Sequence, residues 1–179
     1  IFENDHLIVL NKKAGYATQG GQDYERNLFT LLISCYDRSA VHIMHDSIYL
    51  AAELYVCQEF KAARLIQPAI TGRDSFHKFY LAKVIGQPNP SSGLIDCNIE
   101  WNNNKKRARL SSPTIKDSQT ALTYYKTIES NGDNSLCLVK LLTGRKHQIR
   151  CHLSQYVQTP IVNDTLYGSA RNESESQGI

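Results

Sequence analysis

No apolar run in this sequence approaches the ~18 residues that a membrane-crossing helix needs, so nothing in it reads as a span. The five cysteines (Cys35, Cys57, Cys97, Cys137, Cys151) are odd in number, scattered, and form no C-x-x-C pair. That pattern argues against a disulfide framework or a zinc site and fits an intracellular, reducing compartment. An excess of charge of one sign is also lacking. The formal balance is +3, which permits a nucleic-acid partner without arguing for one; clustering matters more. No signal peptide is visible. Because the numbering starts at Ile1 without methionine, the sequence is expected to be an internal portion, with any targeting segment out of view. What remains has the make-up of an ordinary globule. Its 179 residues are 41% hydrophobic and 21% charged, enough for one domain with a real core and without internal repeats.

The informative stretch is Leu141-Leu142-Thr143-Gly144-Arg145-Lys146-His147-Gln148-Ile149-Arg150-Cys151-His152-Leu153. It follows an alternating run, Leu136 to Leu142, that predicts a half-buried strand. Gly144 supplies a tight turn, and the spacing of Ile149, Leu153 and Val157 predicts an amphipathic helix. Arg145, Lys146 and Arg150 then fall in its first turns. The macrodipole is positive there, so each cation costs roughly a few tenths of a kcal/mol. A fold places cations there chiefly when an anion waits, either a carboxylate of its own or a bound phosphate. The ordinary alternative is a solvated basic helix end.

Along the chain, Leu7 to Leu10 reads as a short buried strand with a turn at Lys12 to Gly15. Gly20-Gly21 marks a loop, after which Asn27 caps a helix over Leu28 to Cys35. Ile48 to Leu65 has few breakers and fits one long helix; equally, Ile48, Leu50, Ala52, Leu54 and Val56 alternate as in a strand, with a helix from Glu59 to Ile66 after it. Periodicity does not decide between them. His77 to Ile85 is a strand closed by Gly86, and Pro88 to Gly93 is a turn-rich loop. Asn102 to Arg109 carries four cations (Lys105, Lys106, Arg107, Arg109) beside Trp101, as an exposed hairpin tip or as a phosphate-contacting arm. Thr120 to Thr127 has the β-branched and aromatic content of a strand. Residues 169–179 are a polar tail.

The string T-G-R-x-H-Q-I-R-x-H-L at 143–153 resembles the C-terminal signature of RluA/RluD-type pseudouridine synthases, enzymes that isomerise uridine in ribosomal RNA. Other stretches agree in order. Glu3 to Gly15 resembles the family's opening E-D-x-x-L-x-V-x-N-K-P-A-G, with Lys13 in place of proline. E-x-x-x-A-R-L at 59–65 matches a family helix that follows a strand, which favours the strand-then-helix reading of 48–65. His77 to Gly86 resembles K-x-Y-L-A-x-V-x-G, Ala121 to Tyr125 resembles A-x-T-x-Y, and Pro160 to Gly168 resembles the closing P-I-x-G-D-x-x-Y-G, with Asn163 replacing glycine. The resemblance covers residues 1–168 as one catalytic domain. It implies an α+β fold, a mixed and largely antiparallel sheet with flanking helices around a central RNA-binding cleft.

The family's catalytic residue is an aspartate in H-R-L-D-R-x-T-S-G. Counted without gaps, that motif falls on His42-Ile43-Met44-His45-Asp46-Ser47-Ile48-Tyr49-Leu50. The first histidine survives; His45 stands at the aspartate, and Ile43 and Asp46 stand at the arginines. The family reaction detaches uracil, turns it and rejoins it through carbon 5, with no cofactor. The aspartate either attacks the sugar or removes its proton, and a carboxylate suits both tasks because it is anionic and its ester can be cleaved later. Imidazole as a nucleophile would leave a cationic adduct. Beside Arg145, which in the family pairs with the aspartate, burial and like charge would keep His45 neutral. Asp46 is the candidate replacement, although a one-residue slip on a strand turns a side chain to the other face. By the same resemblance Tyr80 packs on the target base, and His42, Lys78, Lys146, Arg150, Lys105, Lys106 and Arg107 are the candidate RNA contacts. His147 is expected to hydrogen-bond within the fold. His42 and His45 are spaced as metal ligands can be, but no third ligand accompanies them, and no metal is expected.

The expectation is an RNA-binding pseudoenzyme serving ribosomal RNA folding or ribosome assembly, with ribosomal RNA and assembly proteins as partners, no membrane, and a mitochondrial setting. Two alternatives stand beside it: an active synthase using Asp46, and a protein-binding scaffold within a ribonucleoprotein.

Overall fold

The computed structural model describes residues 1–12, 17–18, 27–39, 41–44, 52–57, 60–71 and 78–168. The chain groups into two compact units, Ile1–Phe76 and His77–Ile179. The Gly20-Gly21 loop, most of the Lys12 to Gly15 turn and the 169–179 tail lie outside the described residues.

In the first unit, β1 (Phe2–Glu3), β2 (Leu7–Lys12), β3 (His42–Ile43) and β4 (Ala52–Cys57) form an antiparallel sheet in the order β1-β2-β4-β3. Helix α1 is Leu28–Cys35, and Asn27 caps it as its sequence predicts: the Asn27 side-chain oxygen accepts from the Thr30 N–H at 2.8 Å. Ile8, Leu32, Val41 and Val56 form the core between that helix and the sheet. Of the 48–65 stretch, the described residues form β4, Ala52–Cys57, and then the start of α2, Phe60–Thr71. Ala62, Ala63 and Ile66, on one face of α2, pack on Met44 and Cys57. The helix runs past Ile66, the end expected from the sequence, and through Pro68 to Thr71.

The second unit is built on a four-stranded antiparallel sheet of β5 (Lys78–Ile85), β6 (Ser92–Asp96), β9 (Leu122–Ser130) and β10 (Asn134–Leu141), in the order β5-β10-β9-β6. Period-two alternation turns Ala82, Val84, Ile95, Tyr125, Cys137 and Val139 to one face, where Leu153 completes the core and Tyr80, Ile149, Val157 and Ile161 pack against it. A hairpin, β7 (Ile99–Asn102) with β8 (Arg107–Leu110), carries residues 103–106 at its tip. Ile99 and Ala108 of this hairpin pack with Ala121, Cys151 and Tyr167.

The amphipathic helix expected at Ile149, Leu153 and Val157 is only partly α. Helix α3 spans Gln148–Cys151, and the chain then opens into a wider turn over His152–Tyr156, in which the Val157 N–H reaches back five residues to the His152 carbonyl at 3.1 Å. All three apolar residues still meet the sheet. The architecture is α+β, and every strand pair among the described residues is antiparallel. No helix there is long and apolar enough to cross a membrane.

Candidate nucleic-acid interface

The cation string is held in shape by one buried amide. Gln148 is 2% exposed. Its Oε1 accepts from the Thr143 hydroxyl at 2.8 Å and from the Arg145 N–H at 2.9 Å, while its Nε2 donates to the Leu122 carbonyl and to Thr123 Oγ1, both at 2.9 Å. Those four bonds tie the 143–146 loop to β9. They also orient the next link: Thr123, already accepting from the amide, donates its hydroxyl to His152 Nδ1 at 2.8 Å. His152 Nε2 therefore carries the proton and donates to the Cys97 carbonyl at 3.0 Å. Burial lowers the His152 pKa, so this fully enclosed imidazole is neutral.

The three cations of the string have different fates. Arg150 finds a carboxylate of its own. Its Nε and Nη2 donate to Asp164 Oδ2 and Oδ1 at 2.7 and 2.6 Å, a bidentate pair. Asp164 Oδ1 also accepts from the Leu166 and Tyr167 N–H groups, each at 3.1 Å, and its side chain is 4% exposed. Lys146 is exposed and sets its ammonium 3.9 Å from the centre of the Trp101 ring. Arg145, also exposed, donates from Nε to the Thr120 carbonyl at 3.2 Å.

His147 hydrogen-bonds inside the fold, as its sequence setting suggests. Nδ1 lies 3.1 Å from the Tyr167 hydroxyl, and Nε2 lies 3.3 Å from Arg150 Nη1. A guanidinium can only donate, so Nε2 accepts and Nδ1 bears the proton. Burial first, then the charges of Arg150 and Lys146, push the His147 pKa down to about 4. The Tyr167 hydroxyl also accepts the Ala108 N–H at 2.6 Å, which fastens the hairpin to the closing segment.

Lys78 and Tyr80 project from the same face of β5, opposite Leu141 and Val139 of β10. The Lys78 ammonium lies 3.4 Å from where a Cβ on Gly144 would sit, so the glycine lets a third cation approach the loop beside Arg145 and Lys146. Burial lowers the Lys78 pKa and raises that of Tyr80. Lys105 and Lys106 are exposed at the hairpin tip, while Arg107 is partly buried and donates from Nη1 to the Leu166 carbonyl at 3.4 Å. His42, in the first unit, packs its ring against Phe60 at 5.7 Å. His45 and Asp46 lie outside the described residues. Among the described residues no group of three histidine, cysteine or acidic side chains is placed to hold a metal.

The sequence model of the RNA pseudouridylate synthase family matches residues 54–155, more than half of the chain. The chain belongs to this family. Its relatives in it are of the RluA type. An uncharacterised RNA pseudouridine synthase of Mycoplasma genitalium is 31% identical over 99% of this chain and 58% of its own length. The ribosomal large subunit pseudouridine synthase C of Rickettsia prowazekii is 29% identical, over 94% of this chain and 56% of its own. The dual-specificity RNA pseudouridine synthase RluA of Escherichia coli is 29% identical, over 94% and 76%. This pseudouridine synthase-family chain thus spans a little over half the length of the first two. Its fold is that of the human RNA pseudouridylate synthase domain containing 4 (TM-score 0.75, 23% identity, 94% of this chain and 68% of that one) and domain containing 1 (TM-score 0.78, 22%, 100% and 72%).

Within the family frame, Gln148 and Asp164 are the residues that reading for charge passed over. Both lie in the stretches 143–153 and 160–168, yet a neutral amide and a distant acid carry no signal until the fold closes. Trp101 was visible only as the neighbour of a cation run.

Proposed function

We propose that this chain binds RNA through its second unit and has lost uridine isomerisation. The observation that carries the reading is a contrast. The loop bearing Arg145 and Lys146 is fully built, locked by Gln148 and flanked by Lys78, with Lys146 over the Trp101 ring, whereas the position that the family fills with its catalytic aspartate holds His45. Lysine and arginine side chains beside an aromatic ring suit a phosphate backbone and a base. An imidazole does not replace a carboxylate that must form and release a sugar ester. Ribosomal RNA is the proposed partner, as the Rickettsia relative is named for the large ribosomal subunit, and a role in its folding or in ribosome assembly follows.

Two measurements test this. Binding of the purified chain to ribosomal RNA fragments should weaken steeply with rising salt, because phosphate contacts release counterions. Pseudouridine mapping in RNA from cells with and without the protein should show no site that depends on it. A site that vanishes with Asp46→Ala and returns with the wild type refutes the loss of activity. RNA binding that is absent at low salt, alongside protein crosslinks, would point instead to a scaffold.

A further inference from the structure

Trp101, Lys116 and the Arg145–Lys146 pair line one open cavity of about 490 Å³ in the second unit, with other residues of the hairpin and residues 117–119 along its remaining walls. That volume is in the range of small-ligand sites. Neither Tyr80 nor Lys78 lines it. We propose that this cavity holds one unstacked nucleotide of a single-stranded RNA segment, its base on Trp101 and its phosphate on Lys146, Arg145 and Lys116. The inference rests on the reading that the chain binds RNA, and adds to it a site for a nucleotide separate from the Tyr80 position.

The chemistry of the lining selects this class of ligand. Three cations converge, two of them exposed on the locked loop, and can meet a phosphate from one side. Asn103 and Gln119 bring amides, each both donor and acceptor, suited to a base edge. Asp117 puts an acceptor among the cations, which disfavours a bare phosphate ion and suits a ligand with its own N–H and O–H groups. Glu100 adds no free charge, being paired with Arg109 and accepting from the Ser111 hydroxyl at 3.2 Å. The Trp101 ring is half-buried, with His147 edge-on at 5.1 Å and Lys146 over its face. A lysine over an indole at a partly exposed site is held more weakly than a stacked base. An incoming base can therefore displace the ammonium, which is then free to swing onto the phosphate.

Trp101 is the only tryptophan in the chain, so its fluorescence reports on this cavity alone. The experiment titrates the full chain with a short single-stranded oligouridylate, following tryptophan emission and, in parallel, filter binding. The expected result is quenching with the same midpoint as binding. Trp101→Leu should weaken binding on the order of tenfold or more, and Trp101→Phe, which keeps an aromatic face, should retain most of it. Lys146→Gln should weaken binding and flatten its salt dependence. If Trp101→Leu fails to fold, as judged by circular dichroism, the wild-type quench and the phenylalanine and glutamine variants decide. Binding with unchanged emission, and with variants equal to wild type, overturns the cavity while leaving RNA binding intact. Equal quenching by inorganic phosphate alone overturns the nucleotide in favour of an anion site. No binding by either readout removes both proposals.

Discussion

Gln148 offers the sharpest test of how the cation loop is held. Gln148→Leu keeps the bulk and removes all four hydrogen bonds. At about 1 kcal/mol net for each bond, and with the Arg145 N–H and the Leu122 carbonyl left without the amide, the loss should be about 2–4 kcal/mol and independent of pH. Gln148→Glu keeps the two accepting roles but turns an oxygen toward the Leu122 carbonyl, where a donor is required. An ionised carboxylate there, 2% exposed, is excluded by burial, so the folded state holds its proton and its pKa rises. The sign then follows. Below the ordinary glutamate value of ~4.3 both states are protonated, and the variant lies within about 1 kcal/mol of wild type. As pH rises above ~4.3 the unfolded chain ionises first and stability falls by about 1.4 kcal/mol per unit until the raised folded pKa is passed. Urea unfolding of variant and wild type across pH, taken as the difference between them, measures this. A glutamate variant within about 0.5 kcal/mol of wild type at every pH would mean that Gln148 does not hold the loop as described.

Further expectations come from the same network. His147 and His152 both have folded pKa values below the ordinary one, so the unfolded chain takes up protons first on acidification; the stability these two histidines contribute should fall as pH drops below ~6.5, and imidazole NMR titration should show His147 neutral until about 4. Asp164→Ala removes a buried partner of Arg150 and the acceptor of the Leu166 and Tyr167 N–H groups and should cost about 3–5 kcal/mol in urea unfolding; a loss under about 1 kcal/mol would show the pair to be solvated. Combined with Arg150→Met, the cost should be clearly less than the sum of the two single changes. Gly168→Ala places a Cβ 2.6 Å from the Asp164 carbonyl oxygen, a backbone contact that must shift, and should cost about 1–3 kcal/mol on the same assay.

Where the chain's own neighbours fix the outcome, the sequence was readable. Asn27 and the helix it caps fall where the capping pattern puts them; β10 follows the alternating run at Leu136 to Leu142, β9 the β-branched and aromatic content of Thr120 to Thr127, and β5 the strand read from His77 to Ile85. Spacing alone failed after Gln148. Apolar residues every fourth position suit an α-helix and a wider turn alike, and only the Val157 N–H reaching five residues back to His152 separates them. The fates of the three cations were likewise invisible. That Arg150 would meet Asp164 depends on how residues 152–163 fold back, a tertiary fact, and that Lys146 would meet Trp101 depends on where the hairpin lies. The 42–50 motif was legible only as a mismatch in letters, and its middle, His45 and Asp46, lies outside the described residues.

The strings at 147–150 and 164–168 are joined by a guanidinium, a carboxylate and one phenol that also pegs the hairpin through Ala108. They can drift only in step. A shortened isoform or fragment ending ahead of Asp164 would still spell T-G-R-x-H-Q-I-R in full, and a search for those letters would count it as whole. Its Arg150 would nevertheless be a charge left unanswered, so the letters would survive without the surface they spell.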